Sequence, residues 1–124
     1  MSIDRPFRVS VLLVEDEVMI RMMIADMIEE LGHVVVAEAG NIQSALELAK
    51  TADFEFAILD INVAGEKIDP VADIIAGRAV PFIFASGYGA IGAPTNFRDR
   101  IVIQKPFLMS TLNDAIRESL GQYS

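Results

Sequence analysis

With 124 residues, 52% of them apolar, a net charge of −8 and no cysteine, the chain has the size and hydrophobicity of one domain with a real core. The missing cysteines exclude disulfides, thiolate metal sites and a cysteine nucleophile. The acidic balance argues against direct nucleic-acid binding, whose affinity comes mostly from cations meeting phosphates. No apolar run approaches the ~18 residues that a membrane-spanning helix needs. Met1 to Arg8 lacks the long apolar centre of a secretory leader. The expected setting is therefore the cytoplasm, without membrane insertion.

Taken in order, residues 1–7 read as a short tail and 8–124 as one domain, with no output domain after it. Arg8 to Val14 is a nearly continuous apolar run, which suits a strand covered on both faces, as in parallel sheets. Glu15, Asp16 and Glu17 follow it. Ile20, Met23, Ile24, Met27, Ile28 and Leu31 recur at helical spacing and predict a first helix over about 17–31. Arg21, Asp26, Glu29 and Glu30 fall mostly on its other side, and the methionines read as adaptable core filler. Gly32 suits the position just past the helix end, and His33 in the following turn reads as a plain surface histidine.

Val34 to Ala37 predicts a second strand. Asn41 is a capping residue for a second helix whose inner face is Ile42, Ala45, Leu46 and Ala49. Phe54 to Asp60 is a third strand, and Ile61 to Asp69 reads as a loop. Asp69-Pro70 suits an N-cap followed by proline in the first turn of a short third helix over about 71–77. Pro81 to Ala85 is a fourth strand, with Phe82 and Phe84 as core. Three glycines and a proline within 87–94 make an orderly start to a fourth helix unlikely on chemical grounds. Ile101 to Gln104 is a fifth strand, and Ser110 is placed to cap a fifth helix over 111–120, with Leu112, Ala115, Ile116 and Leu120 inward. This alternation predicts an α/β domain, doubly wound, with a five-stranded parallel sheet in the order 2-1-3-4-5.

Ligands of open parallel sheets bind beyond the carboxyl ends of the strands. That edge would collect Glu15, Asp16, Asp60, Ser86 and Lys105. Three carboxylates held together repel and raise one another's pKa values. Lys105 relieves part of this, and a hard divalent ion such as Mg²⁺, which prefers oxygen ligands, would relieve the rest. The formal charge then sums to zero, and a phosphoryl group could be stabilised by the metal and Lys105.

Val-Glu-Asp-Glu at 14–17, Leu-Asp-Ile-Asn at 59–62, Ala-Ser-Gly at 85–87 and Gln-Lys-Pro-Phe at 104–107 stand in order, each at the end of an apolar strand. On these matches the chain resembles, over essentially its whole length, a response regulator receiver domain of two-component systems. The resemblance implies a flavodoxin-like (βα)5 fold. It implies Asp60 as the phosphoacceptor, and Glu15 and Asp16 as the acidic pair that binds Mg²⁺, joined by Asp60 and the backbone carbonyl of Asn62. Ser86 would be the hydroxyl that turns toward the phosphoryl group, and Lys105 the lysine that pairs with it, with a cis peptide bond to Pro106. A histidine kinase or histidine phosphotransfer protein would be the donor. The chain would be no enzyme beyond its own phosphorylation and dephosphorylation. Its output would be a surface of helix four, strand five and helix five that binds a downstream protein.

Residues 81–89, followed by Lys105-Pro106-Phe107, are similar to the FAT GUY group of single-domain regulators of alphaproteobacteria, linked to stress signalling. Ser86 stands where that motif has threonine, and only one glycine precedes Tyr88. Val102 occupies the position three residues before the lysine where many receivers carry a switch aromatic; Tyr88 is the substitute candidate. Other readings stay open. The chain could be a phosphate shuttle or sink in a phosphorelay, or an interaction module without phosphorylation. A haloacid dehalogenase-type phosphatase is disfavoured because Asn62 replaces its second Asp. Taken singly, Asp60, Glu15, Asp16, Ser86 and Lys105 could each be an ordinary strand-end, helix-start, turn or surface residue.

Overall fold

The computed structural model describes residues 8–88 and 92–121. The tail at 1–7 and the middle of the glycine-rich 87–94 stretch lie outside the described residues. The elements are β1 (Ser10–Val14), α1 (Val18–Glu30), β2 (Val34–Ala39), α2 (Ile42–Thr51), β3 (Phe56–Asp60), β4 (Asn62–Val63), β5 (Glu66–Lys67), α3 (Asp69–Gly77), β6 (Phe82–Ser86), a 3-10 turn at Thr95–Phe97, β7 (Val102–Gln104) and α4 (Met109–Ser119). Five strands form one parallel sheet in the order β2-β1-β3-β6-β7. With the short β4-β5 ribbon set aside, this is the expected order 2-1-3-4-5.

The strands carry apolar residues on both sides because both faces are covered. Leu12, Val14, Ala57, Leu59, Phe82 and Phe84 point to one face and pack against α2 and α3 through Ala45, Ala49, Val71 and Ile75. Their neighbours Val11, Leu13, Phe56, Ile58, Ile83 and Ala85 point to the other and meet Ile24 and Ile28 of α1 and Leu112 and Ile116 of α4. This period of two on a sheet buried on both faces is what makes β3 buried at every residue, Asp60 included. Phe97 of the 3-10 turn closes one end of the core, its ring 5.4 Å from Phe82 and 6.4 Å from Phe84. Among the described residues between β6 and β7, this turn is the only helical element.

Local signals mostly act as expected. Gly32 sits just past α1 with φ of +96°, a conformation that needs glycine. Asn41 caps α2, its side-chain oxygen accepting the Ser44 N–H at 2.8 Å. Asn41→Ala is expected to lower the unfolding free energy by about 1 kcal/mol, read from urea denaturation, because that amide would lose its partner.

Five expectations are corrected. The stretch over 61–69 contains a two-stranded antiparallel ribbon, β4 paired with β5. Its two-residue turn has positive φ at Ala64 and Gly65 (53° and 86°), the pattern of a type I′ hairpin. Helix α3 starts at Asp69 with Ile68 as its N-cap, so Asp69 is a first-turn acid rather than the cap. Helix α4 starts at Met109, with Leu108 at the N-cap and no side-chain cap, so Ser110 lies inside the first turn. The methionines of α1 are largely not core: Met19, Met22 and Met23 are 83%, 60% and 39% exposed, because Ile24 and Ile28 define the face that meets the sheet. Only Met27 packs partly against it.

His33 is the fifth correction. It is buried, and its Nδ1 accepts the Val9 N–H at 3.1 Å, extending the β1–β2 pairing by one side chain. Burial, and then the positive charge of Arg117, lower its pKa below 6.5. A depressed pKa means the unfolded chain binds the proton better, so this contribution to stability is full above pH 6.5 and fades as pH falls below it. Protonated imidazole also has no lone pair for Val9. The stability difference between wild type and His33→Gln is thus expected to be largest above pH 6.5 and to shrink on acidification, measured by urea denaturation at several pH values.

Candidate functional site

Parallel pairing brings the strand ends into line. Val14 lies beside Leu59, Asp60 beside Ala85, and Ser86 beside Gln104. The residues that follow these positions therefore converge at one edge of the sheet. Glu15 leaves β1 with its N–H still bonded to the Ala39 carbonyl of β2 at 3.0 Å. Its side chain is almost completely buried, as are Asp60 and Ser86. The Lys105 ammonium bridges the two acids, 2.8 Å from Glu15 Oε1 and 3.1 Å from Asp60 Oδ2. Glu15, Asp16 and Asp60 each offer a carboxylate oxygen within 4.8 Å of the others. An all-oxygen set of three carboxylates with this spacing suits a hard divalent cation. Asp16, Asp60 and Lys105 line a pocket of about 770 Å³ together with Asn62, Ser86, Tyr88, Ile20, Met23 and Phe107.

The electrostatics follow from burial and like charge. Asp60 is pushed up to about 6, first by burial and then by the Glu15 carboxylate, while Lys105 and the Asn62 N–H pull it down. Lys105 is pulled down by burial, but its bond to Glu15 and the charges of Asp60 and Glu15 outweigh that and leave it raised. The ammonium is therefore held charged while Asp60 is held near its titration point. One more positive charge at the oxygen cluster would favour the ionised form of Asp60.

The remaining expected residues fall around this centre. Ser86 Oγ accepts the Tyr88 N–H at 3.0 Å, and the Ser86 carbonyl accepts the Lys105 N–H at 2.8 Å. Tyr88 itself points outward, 79% exposed. The Asn62 N–H approaches Asp60 Oδ1 at 3.4 Å, and the Asn62 side-chain oxygen accepts the Gly65 N–H at 2.9 Å, which ties it to the β4-β5 turn. The same turn donates the Ala64 N–H to Asp16 Oδ2 at 3.1 Å. The Lys105-Pro106 bond is cis, as the resemblance implied. Val102 is half-buried on β7.

Two contributors were not foreseen. The ribbon over 62–67 places backbone donors beside the acids. Arg21, expected on the solvent side of its helix, turns back so that Nη1 donates to the Glu15 carbonyl at 2.7 Å. A cation in a helix's first turns is disfavoured by the dipole, and that is the sequence signal that it serves another partner.

Fold and edge together define a parallel α/β sheet protein with a lysine-compensated, oxygen-lined acidic pocket at its carboxyl ends. Residues 11–117 match the family described as the response regulator receiver domain, and the chain belongs to that family, whose members are signalling proteins. The chain is 32% identical over 117 residues to the transcriptional regulatory protein PdtaR of Mycobacterium tuberculosis, covering 91% of this chain and 57% of that protein. It thus spans little more than half the length of that relative. Among solved structures it is similar to SdrG from Sphingomonas melonis Fr1, at 39% identity and a TM-score of 0.75, covering 90% of this chain and 92% of that one. A BeF3-activated conformation of SdrG, from Pseudomonas melonis Fr1, is similar at 38% identity and a TM-score of 0.75, with 90% and 94% covered. The PhyR receiver domain of Erythrobacter litoralis is similar at 30% identity and a TM-score of 0.80, with 92% and 91% covered.

Proposed function

We propose that this chain is a phosphoacceptor switch of a two-component pathway, with Asp60 as the acceptor. The observation that carries the reading is the cluster itself: a buried Asp60, two further carboxylates within 4.8 Å, and the Lys105 ammonium 3.1 Å away. Glu15, Asp16, Asp60 and the Asn62 carbonyl would hold Mg²⁺. When bound, the ion supplies positive charge that keeps Asp60 ionised and offsets charge on phosphoryl oxygens.

The chain's own residues do the rest. An ionised Asp60 oxygen attacks the phosphorus of a donor's phosphohistidine. The new O–P bond forms as the P–N bond breaks, and the electron pair leaves with the imidazole, which takes a proton from solvent. Lys105 stays on the transferred group's oxygens. Ser86 answers next, since turning its hydroxyl toward the phosphoryl group takes Oγ from the Tyr88 N–H it now accepts. Tyr88, already exposed and flanked by glycine, is then re-aimed, and the surface of β7 and α4 changes for a downstream protein. Phosphorylation must favour one of two existing states for this to transmit anything. The similarity to SdrG over nearly its whole length supports the narrower reading as a single-domain regulator of the FAT GUY type, and the 32% identity to a protein described as the PhyR stress response regulator supports a stress-signalling role.

The test is intact-mass measurement after incubation with Mg²⁺ and acetyl phosphate. A gain of one phosphoryl group, lost on mild alkaline treatment as an acyl phosphate is, is the expected result. An unchanged mass at saturating Mg²⁺ defeats the proposal.

A further inference from the structure

We infer that Arg21 is a positioning residue that holds the Glu15–Asp16 turn in its metal-ready shape, and that Gly40 exists to seat it. The inference rests on the proposed role of those acids. Glu15, Asp16 and Glu17 are consecutive carboxylates, and the first two face Asp60. Left to their mutual repulsion, they would swing apart, because the turn between β1 and α1 is short and open to solvent on one side.

The backbone of Glu15 is fastened at both ends to the same place. Its N–H donates to the Ala39 carbonyl at 3.0 Å. Its carbonyl accepts from Arg21 Nη1 at 2.7 Å, and Arg21 Nε pairs with Glu38 at 3.3 Å. Glu38 and Ala39 are the last residues of β2. The guanidinium thus bridges the first turn of α1, the metal-binding turn and the end of the neighbouring strand. The link is made by two different edges of one rigid fork, which a lysine ammonium cannot reproduce.

Gly40 supplies the independent observation. A Cβ added there would lie 2.7 Å from Arg21 Nη1 and 3.8 Å from the Glu15 carbonyl oxygen, the closest approach to any described glycine. Gly40 has no left-handed φ to explain it, whereas Gly32, Gly65, Gly92 and Gly121 do. What glycine provides at this position is the space through which the guanidinium reaches the turn. Glu15 Oε2 then accepts the Glu17 N–H at 3.1 Å, so the carboxylate's own orientation is continuous with the fastened backbone.

Arg21→Lys and Gly40→Ala test this, one by shortening the fork and the other by filling its seat. Both keep the net charge, so a loss cannot be assigned to long-range electrostatics. Each is expected to weaken Mg²⁺ binding, read by calorimetry, on the order of tenfold, as loss of a ligand-orienting partner does. The acetyl phosphate reaction should need correspondingly more Mg²⁺ for half-maximal rate, with the rate at saturating Mg²⁺ within about twofold of wild type. Amide hydrogen exchange at Glu15 to Glu17 in metal-free protein should be faster in both. Wild-type Mg²⁺ affinity and exchange in Arg21→Lys would overturn the inference. So would a loss confined to Arg21→Met, which would make charge the operative property. Should Gly40→Ala fold poorly by urea denaturation, Arg21→Lys decides alone. Should wild type bind no Mg²⁺, the reading of the acids fails, while the exchange measurement still decides whether Arg21 holds the turn.

Discussion

Asp60→Asn is expected to abolish phosphoryl uptake from acetyl phosphate and, in the same preparation, to make the metal-free protein more resistant to urea. The first effect follows from chemistry: a neutral amide oxygen is a poor nucleophile for phosphorus, and no other described carboxylate in the pocket lies beside the hydroxyl-bearing strand as Asp60 does. The second follows from the raised pKa. Burial and the neighbouring Glu15 lift Asp60 from 3.8 to about 6. A carboxylate whose folded pKa is raised contributes stability below its unfolded pKa, and that stability is lost as pH rises through the folded value. At neutral pH the folded protein therefore carries an ionised Asp60 at a cost. Replacing it with Asn removes the charge and keeps an oxygen facing Lys105. The gain should be roughly 1–2 kcal/mol, below the ~3 kcal/mol of an undiminished shift because solvent reaching the pocket screens the charge. The gain should vanish as pH falls toward 4, where Asp60 is neutral in the wild type too. Uptake that survives in Asp60→Asn would move the acceptor elsewhere; a less stable variant in chelator would refute the electrostatic account of the pocket.

That account also shows which parts of the protein were legible from residues alone. The site was readable because each member ends a run of apolar residues that can only be a strand buried on both faces. Once Val11 to Val14, Phe56 to Leu59 and Phe82 to Ala85 are parallel neighbours, the positions of Glu15, Asp60 and Ser86 follow from the 3.8 Å backbone step and the pairing register. What periodicity does not carry is the rotational setting of a helix with apolar residues on two sides. In α1, Ile24 and Ile28 face the sheet, while Val18, Met19 and Met22 form a second apolar stripe toward solvent. The spacing rule is satisfied by either. His33 departs from expectation for a related reason: a turn residue is ordinarily exposed, yet here the Val9 amide ahead of the strand needs an acceptor, and the imidazole supplies it. The β4-β5 ribbon is two residues per strand, too short for alternation to register. Arg21 is marked only by its unfavourable place in a helix's first turn; its partner is a carbonyl, and carbonyls leave no trace in a sequence.

Lys105→Met should show the opposite balance to Asp60→Asn. The ammonium is the cation within hydrogen-bonding reach of both Glu15 and Asp60, at 2.8 and 3.1 Å, and all three side chains are mostly buried. Removing it leaves two carboxylates facing each other with no counter-charge, and breaking one side of a buried pair costs far more than the pair contributes. In chelator the variant is expected to lose roughly 2–3 kcal/mol of stability, somewhat below the usual range because Asp60 can escape by taking up a proton. The loss should shrink as pH is lowered for that reason. Saturating Mg²⁺ should restore most of it, since a divalent ion replaces the missing charge and meets no ammonium repelling it from the same oxygens. The variant should therefore bind Mg²⁺ more tightly than wild type, even though its phosphoryl uptake at saturating Mg²⁺ falls on the order of a hundredfold for want of a donor to the transferred oxygens. Tighter metal binding with slower transfer separates the two duties of Lys105, holding the empty-handed acids together and then holding the phosphoryl group. Weaker Mg²⁺ binding in Lys105→Met, measured by calorimetry beside the wild type, would show that the lysine organises the metal site instead of competing with it.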